Sequence, residues 1–207
     1  MNKDEVKGAQ RALFVCNGAT GHSRSGDRAN LDYYASDPVA GEWLLELEPQ
    51  INNIWECAVG EGHLAEAFRK AGKLRVVSDL IDRGYYPKNI PTKYDLDFLQ
   101  FNKVWRGDIV TNPPYCSSLD WAEHQLDLIQ EGRYSALFMK ITFLEGKERR
   151  KFFEKYPPIR VWVSSSRIMC CKNGDFDTYG KKSSAACYCW FVWQKGYTGE
   201  TTIKWFN

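Results

Sequence analysis

The stretch Asn112-Pro113-Pro114-Tyr115 carries residue types at a spacing that suits a chemical task. Two successive prolines remove two backbone N–H donors and hold φ near about −65°, so the chain runs stiffly and its carbonyls point in set directions. The Asn112 side-chain oxygen and the Pro113 carbonyl can together accept both hydrogens of one exocyclic amino group, while the Tyr115 ring can lie against a planar heterocycle. An aryl amine is a poor nucleophile because its lone pair is delocalised into the ring. Two fixed acceptors favour the pyramidal nitrogen that forms as such an amine is alkylated, and they do so without a strong base. Asn-Pro and Pro-Pro pairs also mark ordinary turns, so the elements around the tetrapeptide decide how it is read.

Asp108 to Thr111 is a short apolar run of the kind that forms a buried parallel strand, which places Asn112 at that strand's carboxyl end. Ligands of open α/β sheets bind there. Upstream, residues 51–59 read as a strand, Gly60-Glu61-Gly62 as a tight turn, His63 to Ala71 as a helix closed by Gly72, and Leu74 to Asp79 as a second strand. The order is that of a βαβ unit with a right-handed crossover. Gly60-x-Gly62-x-x-Ala65, followed by Asp79, fits a site for an adenosine-containing cofactor, with glycines that admit backbone close to the ligand and an acid for ribose hydroxyls. A nicotinamide dinucleotide and S-adenosylmethionine meet that requirement equally.

Before this unit, Asp37 is a good N-cap and Pro38 a good first residue for a helix over 38–48, whose Val39, Trp43, Leu44 and Leu47 share a face. After it, Lys93 to Leu99 reads as a short strand and turn, and Leu119 to Glu131 as an amphipathic helix stopped by Gly132. Tyr134 to Ile141 reads as a strongly apolar strand, and Glu145 to Tyr156 as a charged helix ended by Pro157-Pro158. Arg160 to Val163 is a further strand. A polar loop over 172–184 separates it from the aromatic strand Ala185 to Trp193, and two such strands with no helix between them are expected to pair antiparallel. Residues 1–30, polar and rich in Gly, Ser and Asn, read as an N-terminal arm.

With 207 residues in all, the chain beyond this arm, 31–207, is sized for a single domain, and the 43% hydrophobic and 26% charged fractions of the whole chain are those of a soluble globular protein. No stretch approaches the ~20 apolar residues of a membrane span, which points to a cytoplasmic location. Seven cysteines without regular spacing fit reduced thiols. Cys170-Cys171 and Cys187-x-Cys189 do not make a metal site, because an alternating strand turns the first two to opposite faces. The net charge of +2 does not by itself call for nucleic acid, although Lys147-Glu148-Arg149-Arg150-Lys151, Lys181-Lys182 and Arg69-Lys70 are locally basic.

Glu56-Cys57-Ala58-Val59-Gly60-Glu61-Gly62-His63-Leu64 resembles the cofactor motif of class I S-adenosylmethionine-dependent methyltransferases, and Asn112 to Tyr115 resembles the catalytic motif of DNA amino-methyltransferases. A Tyr-x-Ser-Asp-Pro segment before both, and the order of the two motifs, are similar to gamma-type adenine-N6 enzymes. Ser183 to Gly196 resembles the closing strand of small phage or prophage members. The likeness spans roughly residues 31–205. It implies a Rossmann-like, mostly parallel seven-stranded sheet with helices on both faces and a C-terminal antiparallel hairpin strand.

Position by position, the resemblance implies that Glu56, Ala58, Gly60 and Gly62 line the methionine part of S-adenosylmethionine, with Tyr34, Ser36 and Asp37 closing over its ends. Asp79 would hold the ribose, Leu80 would pack on the cofactor's adenine, and Asp97 would accept from that adenine's amino group with Phe98 beside it. Asn112, Pro113 and Pro114 would present the catalytic acceptors. Tyr115 would stack on the target base, and Phe176 or Tyr179 would supply its other face. The partner implied is DNA, with neither metal nor membrane. Two departures stand out: Glu56-Cys57 replaces the more usual Asp-Pro, and nothing after Tyr115 is left over for a separate target-recognition domain. Cytosine N4, RNA adenine and a protein glutamine amide present the same chemical problem to the same motif. A nicotinamide oxidoreductase leaves the tetrapeptide unexplained, and a non-catalytic adenosine-binding module has no physical reason to keep both Asp79 and the tetrapeptide.

Overall fold

The computed structural model describes residues 33–172 and 186–207. In chain order the elements are β1 (Tyr34–Ser36), α1 (Val39–Leu47), β2 (Ile54–Glu56), α2 (His63–Lys70), β3 (Leu74–Ser78), β4 (Thr92–Lys93), β5 (Ile109–Thr111), α3 (Ser118–Leu128), β6 (Tyr134–Lys140), α4 (Lys147–Lys155), β7 (Arg160–Ser164), β8 (Cys170–Lys172), β9 (Tyr188–Gln194) and β10 (Thr202–Phe206). The expected arm over 1–30 and most of the expected loop over 172–184 lie outside the described residues.

Eight strands form one sheet in the order β10-β7-β9-β6-β5-β2-β3-β4, and β1 pairs with β8 in a separate two-stranded ladder. The expectation of seven strands falls short by β10, which pairs in parallel with β7 at the far edge. Its first four residues are exposed, so no buried apolar pattern announces it. All pairings in the large sheet are parallel except those of β9, which lies antiparallel between β6 and β7.

Side-chain alternation along the central strands divides the core into two layers. Ala136, Phe138, Trp190 and Val192 face α1 and α2, packing with Leu44, Leu64 and Phe68. Leu137, Met139, Phe191 and Trp193 face α3 and α4, packing with Trp121, Leu126 and Phe152. Helices therefore cover both faces, as parallel strands buried on both sides require.

Two details fix α1 against this sheet. Asp37 Oδ1 accepts the Val39 N–H at 3.0 Å, which realises the cap read from the sequence. At the other end Glu48, fully buried, accepts a fork from the Arg160 guanidinium on β7 and also the Trp162 indole N–H at 2.7 Å. Between them, Gly41 lets α1 approach α2: a Cβ there would stand 2.9 Å from the Ala67 Cβ and 3.2 Å from the Leu64 carbonyl oxygen. Gly41→Ala is therefore expected to lower stability by about 1–2 kcal/mol in urea unfolding, although the same change in an open helix gains up to about 1 kcal/mol. A stabilised variant would show that the two helices can part without cost.

Candidate active site

Four neighbouring parallel strands, β6-β5-β2-β3, end on one edge of the sheet. At or just beyond those ends stand Lys140, Asn112, Glu56 and Asp79. Strands β2 and β5 are apolar and buried up to their last residues, Glu56 and Thr111, and β6 is buried from Ser135 to Met139, so the polar groups at these ends are held at the rim by the packing behind them.

Asn112 is the most constrained of the four. Its Nδ2 donates to the Ser36 hydroxyl at 2.9 Å and to the Tyr34 carbonyl at 3.2 Å. A carbonyl can only accept, so the NH2 end of the amide faces β1 and Oδ1 is turned the other way. That oxygen is buried without a hydrogen-bond partner among the described residues. An unmet buried acceptor costs about 1–3 kcal/mol, which a donor arriving from outside recovers. Strand β1 acts as the orienting device, and it is itself pinned by β8 through Tyr34↔Lys172, Ala35↔Cys171 and Ser36↔Cys170. Tyr34 and Ser36, expected to close over a cofactor, are placed against Asn112.

Beyond the two prolines Tyr115 opens a short 3-10 turn. Its ring lies 5.5 Å from that of Tyr34 and 6.3 Å from that of Tyr188, and burial pushes its phenol well above the usual range. The Lys140 ammonium lies over the Tyr115 ring, 4.8 Å from its centroid, and 5.9 Å from that of Tyr34.

Glu56 ends β2. Its Oε1 accepts the Thr111 hydroxyl and, at 3.4 Å, the Ala58 N–H, while Oε2 is buried with no partner among the described residues. Burial, with Asp79 adding to it, pushes the carboxyl up to about 8. Asp79 accepts the Gly60 N–H at 2.8 Å and the Ile81 N–H at 3.0 Å. Burial raises this carboxyl too. A carboxylate has about four acceptor positions, so Asp79 retains capacity for hydroxyl donors.

The glycine turn, expected to admit backbone close to a cofactor, lies against the chain's own tyrosines. Gly60 and Gly62 have φ of +56° and +84°, and a Cβ would meet the Tyr33 ring at 2.4 Å and the Tyr85 ring at 2.1 Å. The chain's own tyrosines fill those positions. Tyr33 also accepts the Glu61 N–H at 3.1 Å and lies under the Arg83 guanidinium, 4.3 Å from the ring centroid.

The remaining expected residues divide. Leu80 is 52% exposed beside Asp79, an apolar side chain left open at the rim. Ala58 lies half-buried in the turn after β2, Asp37 is occupied with the α1 cap, and Asp97 caps a 3-10 turn through the Leu99 N–H at 3.0 Å. Phe98 is a core residue, 4.6 Å from the Trp121 ring and 5.4 Å from that of Trp55. Phe176 and Tyr179 lie outside the described residues. Thr111, Tyr33, Tyr188 and Lys140 belong to the site without having been singled out. For Thr111 the signal was adjacency to Asn112; for Lys140 it was the end of the strand beside β5.

Glu56 gives the protein a pH signature. In the unfolded chain its carboxyl ionises near 4.5 and in the folded chain near 8, so between those values only the folded state keeps the proton. The stability that this proton confers is fully present below pH 4.5 and is lost as pH rises through 8, at up to about 1.4 kcal/mol per unit. Urea midpoints from pH 5 to 9 are expected to fall more steeply for the wild type than for Glu56→Gln. Parallel curves would remove the buried proton from the account.

No family model and no curated protein matches the sequence. Solved structures do match its fold. A protein assigned as a class I S-adenosylmethionine-dependent methyltransferase of Listeria monocytogenes aligns over 97% of this chain and 72% of its own, at 12% identity and a TM-score of 0.59. One assigned as an RNA methyltransferase of Pyrococcus horikoshii aligns over 92% and 98%, at 13% identity and 0.59. The M protein of the EcoKI type I restriction enzyme aligns over 78% of this chain and 43% of its own, at 13% identity and 0.52. The chain thus has the methyltransferase-like Rossmann fold.

Proposed function

We propose that this chain transfers a methyl group from S-adenosylmethionine to the N6 amine of adenine in DNA, with the target base turned out of the duplex toward Asn112 to Tyr115. The observation that carries the reading is the Asn112 amide, locked by its NH2 end to β1 so that a buried oxygen, without a partner among the described residues, faces away from it at the carboxyl end of β5. The fold neighbours support the same reading. Two are assigned as methyltransferases, one of them as an RNA methyltransferase, and a third is the M protein of a type I restriction enzyme.

The residues present fit the cofactor. Glu56 Oε2 is buried without a partner among the described residues, where an arriving ammonium would draw the carboxyl into its charged, accepting form, Asp79 keeps acceptor capacity for ribose hydroxyls, and exposed Leu80 offers an apolar face for an adenine ring. When bound, S-adenosylmethionine supplies a methyl group on a cationic sulfur, which a modest nucleophile can take. The chain's own part is to hold the amine. Asn112 Oδ1 and the Pro113 carbonyl accept its two hydrogens and stabilise the pyramidal nitrogen more than the planar one, so their contribution appears in the transition state. Tyr115 and its aromatic neighbours supply the apolar wall for the ring.

The test is to incubate the protein with isotopically labelled S-adenosylmethionine and unmethylated DNA, digest the DNA, and identify the labelled nucleoside by mass spectrometry. Label on N6-methyladenine is the expected result. Label on N4-methylcytosine would move the target within DNA. Label appearing only in RNA, or in a glutamine-containing protein, would overturn the choice of DNA.

A further inference from the structure

We propose that Lys140 closes the target-base slot in the free protein and, displaced by the incoming base, binds a phosphate of the nucleic-acid backbone beside the target nucleotide. The inference rests on the function proposed above and deepens it, since it makes a phosphodiester strand, rather than a peptide amide, the substrate class that the site is built to receive.

Lys140 is the last residue of β6, and Thr111 pairs with Leu137 on that strand, so Lys140 stands level with the prolines that follow Asn112. Its neighbour on β9 is Tyr188. The half-buried side chain carries its ammonium to 4.8 Å from the Tyr115 centroid and 5.9 Å from that of Tyr34. Among the described residues this ammonium has neither a hydrogen bond nor an ion pair; two tyrosine rings are its whole company.

Two consequences follow from the geometry. Stacked or tilted rings sit about 4.5–7 Å apart, centroid to centroid, so the ammonium occupies the distance from Tyr115 at which a target ring would lie. A heterocycle and the cation cannot both stand there. The contact being given up is weak, about 0.5–2 kcal/mol for a cation over an aromatic ring, so a base can displace it. The lysine stem is long, flexible and rooted at the rim of the sheet, which lets the charge swing outward once the slot fills. A flipped nucleotide brings its own phosphates to that rim, and a phosphate gives the ammonium an anionic partner, which it does not have among the described residues.

The experiment compares wild type, Lys140→Gln and Lys140→Arg on an unmethylated duplex oligonucleotide, with KM, kcat and their salt dependence as readouts. Binding of S-adenosylmethionine, measured by calorimetry, reports that each variant is folded. For Lys140→Gln the loss is expected in KM, roughly tenfold at low salt, and the slope of log KM against log salt should shrink by about 0.9. Lys140→Arg should restore the slope. An unchanged slope, or a loss confined to kcat, would overturn the phosphate role even though DNA is methylated. A wild-type protein that methylates a glutamine peptide and no nucleic acid would instead overturn the function on which the inference rests.

Discussion

Asn112→Ala is expected to lower kcat by about a hundred- to a thousandfold while leaving the affinity for S-adenosylmethionine nearly unchanged. The magnitude is that of removing one preorganised hydrogen-bonding group from a site where charge develops, about 2.7–4 kcal/mol. The selectivity follows from position: Asn112 directly follows β5, its amide bonded to Tyr34 and Ser36 of β1, whereas Glu56 ends β2 and Asp79 directly follows β3. Alanine also strips a hydrogen bond from Ser36 and Tyr34, so a modest loss of stability of about 1 kcal/mol accompanies the change. Single-turnover methylation separates the two effects, because chemistry measured on cofactor-saturated, folded protein is blind to the second. Turnover within tenfold of wild type would remove Asn112 from the catalytic account.

The largest expected effect on stability lies far from that chemistry. Glu48→Ala should cost about 3–5 kcal/mol, because the Arg160 guanidinium and the Trp162 indole N–H would lose their common acceptor inside the protein. For a chain of this size that is a fall in Tm of roughly 6–20 °C. Glu48→Gln keeps a neutral acceptor and should lose less. The pair ties the last turn of α1 to β7, sequence neighbours only across 112 residues, so its loss loosens the helix against the sheet. A drop in Tm below about 2 °C in the alanine variant would show that Arg160 finds water or another acceptor instead.

Much of the scaffold was legible because its signals are local. Asp37 and Pro38 mark the start of α1, the apolar runs before Thr111 and Lys140 mark two central strands, and Pro157-Pro158 marks the stop of α4. The antiparallel placement of β9 followed from the lack of a helix between it and β7. What escaped depends on contacts made across the chain. Strands β1 and β8 are three residues each and exist because they pair with one another. Strand β10 is mostly exposed, with Trp205 at 67%, so no core-facing pattern reveals it. In the site, Asn112 was found by type and spacing, but that Tyr34 and Ser36 would orient its amide depends on a contact across 76 and 78 residues. Phe98 reads equally well as a ligand contact or a core ring until Trp121 and Trp55 are seen packed on it.

The position of β9 bears on how the molecule is made. Its partners β6 and β7 end by residue 164, yet they touch only through a strand that begins at residue 188. A growing chain that has emerged as far as β7 therefore leaves β6 open along one edge and β7 along both, since the other neighbour of β7, β10, is also made later. Such edges are templates for pairing with other chains. The sheet joins β6 to β7 only once 188–194 has been synthesised and paired with both, a step of high sequence separation and correspondingly slow closure. Folding during translation can settle the βαβ half around Glu56 and Asp79 early, while Lys140, Tyr188 and the wall behind Tyr115 assemble last. The turn around Gly60 and Asp79 is then formed before the aromatic cluster of Tyr34, Tyr115 and Tyr188 is closed.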